Sequence, residues 1–118
     1  MASEMPEYEI LSGLIRLHIL YHASREGLFG LGMIHELREH GYKIGPGTLY
    51  PLLHRMEKQG YLRSRERVVD GKQRRWYTAT PRGRRALLEA KARVGELFRE
   101  IVKDETPEAR SHRHHKKT

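Results

Sequence analysis

With 118 residues, 37% of them hydrophobic and 32% charged, the chain has room for one domain with its own core, and the absence of cysteine excludes disulfide frameworks, thiol nucleophiles and thiolate metal sites. The net charge of +8 is uneven: residues 1–42 hold three Arg against six Glu, residues 43–85 twelve Lys or Arg against three acids, and residues 86–118 eight against six. A middle third with that excess is expected to meet a polyanion, because each phosphate it neutralises releases condensed counterions. Met1–Glu9 carries three acids and nothing resembling a signal peptide. No apolar run approaches the roughly 18 residues of a membrane span, so a cytoplasmic location with no membrane partner is expected.

Tyr8 to about Ser24 reads as a helix whose apolar residues, among them Ile10, Leu11, Leu14, Ile15, Ile19 and Leu20, cover more than half its circumference. Such a helix needs partners on two sides. Arg25-Glu26-Gly27 breaks the pattern, and a short second helix is predicted from about Leu31 to His40, with Ile34 and Leu37 facing inward and Gly41 just past its end. Tyr42–Gly45 is a linker, Pro46 stands where a first-turn proline is tolerated, and a third helix runs to about Gln59 before Gly60 stops it.

Beyond Gly60 the period becomes two. Leu62, Ser64, Glu66 and Val68 share one face of a strand, Arg63, Arg65 and Arg67 the other, and Asp70-Gly71 turns the chain into a returning strand, Gln73–Ala79. Tyr61–Ala79 is thus predicted to be a two-stranded hairpin with a cationic tip. Thr80 caps and Pro81 opens a last helix. There Gly83, Leu87, Ala90, Val94, Leu97 and Ile101 recur at heptad spacings, an a/d seam. With the spare apolar surface of the first helix, the seam suggests a symmetric homodimer built on Leu14, Leu87, Ala90, Val94, Leu97 and Ile101.

Two helices, a tight turn, a third helix and a hairpin follow the order of a winged helix-turn-helix, whose third helix enters the major groove. The expected fold is mainly α with a small β-hairpin: a winged helix-turn-helix plus N- and C-terminal dimerisation helices. It divides into residues 8–80 for DNA binding, 81–104 for dimerisation and 105–118 as a disordered basic tail. At about 100° per residue, Leu49, Leu52, Leu53 and Met56 form the buried stripe of the third helix. Opposite lie Gly47, Pro51, His54 and Lys58, flanked by Thr48, Tyr50 and Arg55. With Lys43 before the helix and Lys72, Arg74 and Arg75 at the hairpin tip, these are the expected contacts to double-stranded DNA. Thr48 also suits first-turn capping, Tyr50 the rim of the core, and Trp76 and Tyr77 cross-strand packing.

Gly47-Thr48-Leu49-Tyr50-Pro51-Leu52-Leu53-His54-Arg55-Met56-Glu57, then Gly60-Tyr61-Leu62, Arg74-Arg75-Trp76-Tyr77 and Thr80-Pro81-Arg82-Gly83, resemble the PadR family of bacterial transcriptional regulators over about residues 10 to 100. The resemblance implies a dimer on a palindromic operator, usually a repressor, often released by a small-molecule effector. One helix after the hairpin is similar to the family's small subgroup. Gly45 stands where family members often have Ser or Thr, which removes a hydroxyl that would donate to phosphate. The last helix lacks the Trp between which some small-subgroup members bind flat aromatic drugs.

Other classes are less well supported. Without Cys, and with eight His in no recognisable catalytic spacing, no enzyme activity and no cofactor are expected. His18 and His22, at i and i+4, admit a metal-responsive DNA-binding sensor, with Glu26 or a partner residue as third ligand, although paired His on a half-buried helix are more often packed or hydrogen-bonded. His112, His114 and His115 in the tail could bind metal in a purified sample without biological meaning. A winged-helix protein-protein adaptor is the remaining alternative, and the charge of residues 43–85 argues against it.

Overall fold

The computed structural model describes residues 6–103. The expected tail at 105–118, with its three histidines, and residues 1–5 lie outside that range. The order of elements is α1 (Pro6–Arg25), β1 (Leu28–Phe29), α2 (Gly30–Glu39), α3 (Pro46–Lys58), β2 (Leu62–Val69), β3 (Lys72–Ala79) and α4 (Pro81–Lys103). The chain packs as a compact unit through Leu87 and a second segment from Leu88.

α1 is apolar on opposite sides, and the two sides fare differently. Ile15, Ile19, Leu20 and Ala23 enter the core, whereas Ile10, Leu14 and Tyr21 are exposed. α2 contributes Met33, Ile34 and Leu37, and α3 contributes Leu49, Leu52, Leu53 and Met56, the stripe expected from its periodicity. Leu28, Ile44, Leu62, Tyr77 and Ala79 complete the cluster, and among the described residues no polar or charged residue is buried with it. The turn between α2 and α3 is pinned by Arg38, whose Nε donates to the Ile44 carbonyl at 3.1 Å.

The hairpin has a third strand that the sequence pattern did not announce. β1 adds to it antiparallel, in the order β1-β3-β2, with Leu28 opposite Tyr77 and Phe29 opposite Trp76. Two residues are too few to show a period of two. β2 and β3 pair from Leu62↔Ala79 to Val69↔Lys72, and the two-residue turn holds Asp70 at φ 53° and Gly71 at φ 76°. Both are left-handed, the combination a two-residue hairpin turn demands and an Asp-Gly pair supplies at low cost.

Thr80 starts α4 as expected. Its Oγ1 accepts from the Gly83 N–H at 3.0 Å and donates to the Gly60 carbonyl at 2.6 Å. The Tyr61 carbonyl fills the space a Cβ would need at Gly83, so only glycine permits this approach. The seam on α4 therefore divides. Gly83 is buried and Leu87 packs against the core of its own chain, while Val94, Leu97 and Ile101 are exposed. Leu88, Phe98 and Val102, which the strict heptad passed over, are exposed too and widen the apolar face.

Candidate nucleic-acid interface

The surface side of α3 is assembled by its buried side. Once Leu49, Leu52, Leu53 and Met56 are fixed in the core, helical geometry turns Gly47, Thr48, Tyr50, Pro51, His54, Arg55 and Lys58 outward, and all seven are exposed. Gly45 is the N-cap in extended backbone with no side-chain cap, so Thr48 is not used as one; its N–H bonds to the Gly45 carbonyl at 3.1 Å. Pro51 lies inside the helix and lacks the N–H that would bond to the Gly47 carbonyl, yet α3 runs unbroken. Tyr50 divides its surface: its ring covers Gly30 at the start of α2, and the residue remains 43% exposed. Lys43 is exposed in the turn before the helix.

The sheet's two faces differ in chemistry. Leu28, Leu62, Tyr77 and Ala79 turn toward the core, and Ser64, Glu66 and Arg75 lie on that same face by alternation. There Ser64 Oγ lies 2.9 and 2.8 Å from the two Glu57 carboxylate oxygens, donating to that carboxylate, and accepts from Arg75 Nη1 at 3.1 Å. Arg75 Nη2 is 3.4 Å from Glu66 Oε2. A chain of contacts therefore runs from the last turn of α3 through β2 to β3. Burial, and next the nearby Glu57 carboxylate, pushes the Tyr77 hydroxyl above its ordinary value. Among the described residues, Lys72 and Arg74 have no such ties at the tip. Sequence reasoning placed Arg75 among the DNA contacts and missed its link to Glu57, because Glu57 and Ser64 are partners only once α3 packs on β2.

The opposite sheet face carries Arg63, Arg65, Arg67 and Arg74 around Trp76 and Thr78. Trp76 packs edge-on against Phe29 with ring centroids 4.6 Å apart, as its expected packing role requires, and the Arg67 guanidinium sits 4.6 Å from its ring centroid.

His18 and His22 belong to a cluster between α1 and α2. The rings of His18 and His40 lie 4.9 Å apart, Tyr42 meets His18 edge-on at 5.3 Å, and Glu36 Oε2 is 3.0 Å from His40 Nε2 and 3.6 Å from His22 Nε2. Burial, then the neighbouring His40 and His22, lowers the His18 pKa against an opposing pull from Glu36. Among the described residues no three His, Asp or Glu groups are placed to hold a metal ion, and Glu26, the conjectured third ligand, is not brought into such a group.

No helix among the described residues is long and apolar enough to cross a membrane. Residues 19–89 match the family model of the PadR-like transcriptional regulators. The chain is 50% identical over 94 residues to the transcriptional regulator Rv3488 of Mycobacterium tuberculosis, covering 80% of this chain and 88% of that one. Among solved structures it is similar to a PadR-like regulator from Bacillus cereus, with 29% identity and a TM-score of 0.73 over 79% of this chain and 92% of the other. A PadR family regulator from Eggerthella lenta gives 33% identity and a TM-score of 0.70, with coverage of 86% and 89%.

Proposed function

Because the chain belongs to the PadR-like family of transcriptional regulators, we propose that it acts in the cytoplasm as a homodimeric repressor on a palindromic DNA operator. The observation that carries this reading is the exposed row on α3, from Gly47 to Lys58, in a chain whose hairpin tip also bears Lys72 and Arg74. Small residues at the start of α3 let its backbone approach the base edges. Thr48 and Tyr50 donate to phosphate, His54 faces the groove, and Arg55 and Lys58 supply charge at the far end. Lys43 adds a phosphate contact before the helix, and the hairpin tip reaches toward a minor groove.

The dimer is supported by unpartnered apolar surface. Phe98 is 61% exposed, Leu97 50% and Ile101 53% on α4, with Leu14 at 41% on α1. A monomer seldom leaves so many large apolar side chains bare. A second copy covers them through Leu14, Leu87, Ala90, Val94, Leu97 and Ile101, with Phe98 added. Residues 8–80 then serve as the reading unit and 81–104 as the dimerising helix. A cavity of about 480 Å³ bounded by Leu31, Phe29, Arg74 and Trp76 offers room for a small effector, which would engage Arg74 and so favour release of DNA.

The test is a fluorescence-anisotropy titration of a labelled duplex from the region upstream of the chain's own coding sequence against a shuffled control, at several salt concentrations. The expected result is preferential, salt-sensitive binding of two subunits per site. Equal binding of both duplexes at every salt concentration would remove the operator reading for that region.

A further inference from the structure

A glycine stands on either side of β1, the shortest strand, and each receives an aromatic ring from a different element. A Cβ at Gly30, buried at the start of α2, would fall on the ring of Tyr50 from α3, 2.9 Å from its Cζ and 3.1 Å from its hydroxyl oxygen. A Cβ at Gly27 would fall on the Trp76 indole of the hairpin, 2.8 Å from its Nε1. Contacts that close leave no room for a side chain. Gly27 is also left-handed, with φ 89°, whereas Gly30 is the first residue of a helix, so at Gly30 the ring alone excludes a Cβ. Neither ring serves the apolar core: Tyr50 and Trp76 lie outside its cluster, the first exposed and the second half-buried. Between the two glycines, Leu28 and Phe29 pair with Tyr77 and Trp76 of β3, and Phe29 runs on into α2 as its N-cap.

We propose that Gly30 and Gly27 are positioning residues for DNA recognition: by seating Tyr50 and Trp76 they fix the reading helix and the hairpin to one four-residue segment, so that both meet a half-site in register. The inference rests on the operator-binding reading above and assigns no new contact to DNA. Two features separate such a role from simple packing. α3 is already anchored by Leu49, Leu52, Leu53 and Met56, so the seat at Gly30 acts on a side chain that stands in the exposed row. Trp76 in turn carries the Arg67 guanidinium 4.6 Å from its ring centroid, so the seat at Gly27 also fixes the place of a cation. Recognition by several groups at once demands that each be held to within about 1 Å, which is what a ring lodged against bare backbone provides.

The experiment first selects a preferred duplex from a random pool with the wild-type protein. Affinity for that duplex and for a shuffled one is then measured for wild type, Gly30→Ala, Tyr50→Ala, the two together, and Gly27→Asn, with thermal unfolding alongside. Binding to the shuffled duplex is set by charge, which none of these substitutions alters. Asn tolerates left-handed backbone, so Gly27→Asn tests the seat rather than the dihedral angle. Gly30→Ala and Gly27→Asn are each expected to lower the preference for the selected duplex about tenfold, with the shuffled duplex bound as before. In the Tyr50→Ala background Gly30→Ala should change the preference by less than about twofold, because the ring it displaces is gone. Additive losses in the double variant, an unchanged preference in Gly30→Ala or in Gly27→Asn, or equal losses on both duplexes overturn the proposal. Should Gly30→Ala alone fail to fold, the double variant is expected to fold and to match Tyr50→Ala in preference; failure on either count overturns the proposal as well. Enrichment of no duplex at all would instead count against the operator reading itself.

Discussion

Gly83 shows how a single atom can set the register between elements. The Tyr61 carbonyl occupies the position of its missing Cβ, and a carbonyl held in a hairpin cannot move aside as a flexible side chain would. Gly83→Ala should therefore destabilise the protein by roughly 1–3 kcal/mol, in spite of alanine's better helix propensity, as measured by urea unfolding. Glu57 is a second such residue. An acid in the last turn of a helix opposes the helix dipole, and one beside a DNA-reading surface repels phosphate, so its bond to Ser64 is the compensating interaction. Removing a negative charge should tighten DNA binding if only the field matters. Glu57→Ala is expected to weaken it about fivefold, the equivalent of ~1 kcal/mol for the hydrogen bond that holds the hairpin to α3, with anisotropy as the readout. His18 gives a pH dependence of definite sign. Its pKa is lowered in the fold by burial and by His40 and His22, against Glu36, so the unfolded chain binds the proton more readily. Stability from this group is complete above its ordinary value of 6.5 and declines as pH falls below it toward the lowered folded value. Urea midpoints measured across that range should fall with pH in wild type and fall less in His18→Gln.

At the scale of elements, helices were the most legible features and the short strand the least. α3 was readable because its four buried residues recur at helical spacing within one uninterrupted segment, and its exposed row follows from them by geometry. β1 has no period to detect; Leu28 and Phe29 become a strand only because Tyr77 and Trp76 present an open ladder edge. The heptad on α4 was visible, but its division was not. Nothing local distinguishes Leu87, which meets its own core, from Leu97, which is exposed. The hairpin was legible from alternation and Asp70-Gly71, whereas the roles of Arg74 and Arg75 needed the sheet's facing. These adjacent residues now predict different behaviour. Lys72→Ala with Arg74→Ala should weaken binding to all duplexes alike and lower the salt slope by about one unit for each phosphate left unneutralised. An unchanged slope would take the tip out of the interface.

For the whole molecule, assembly and DNA recognition are expected to depend on each other. In the proposed dimer two reading helices would match a two-fold symmetric site, and each half-site alone would engage only half the phosphates. Leu97, 50% exposed on α4, lies outside the core cluster, so Leu97→Glu should leave the compact unit folded while separating the subunits. Sedimentation equilibrium should then report monomers, and operator affinity should drop by at least about tenfold; a dimer of unchanged strength would show that the subunits meet elsewhere. The chain also carries a built-in optical gauge. Trp76 is its sole tryptophan, lodged between the Phe29 ring and the Arg67 guanidinium. Drawing Arg67 off that indole toward phosphate would change its emission, so the unlabelled protein would report in real time whether its hairpin is engaged or idle.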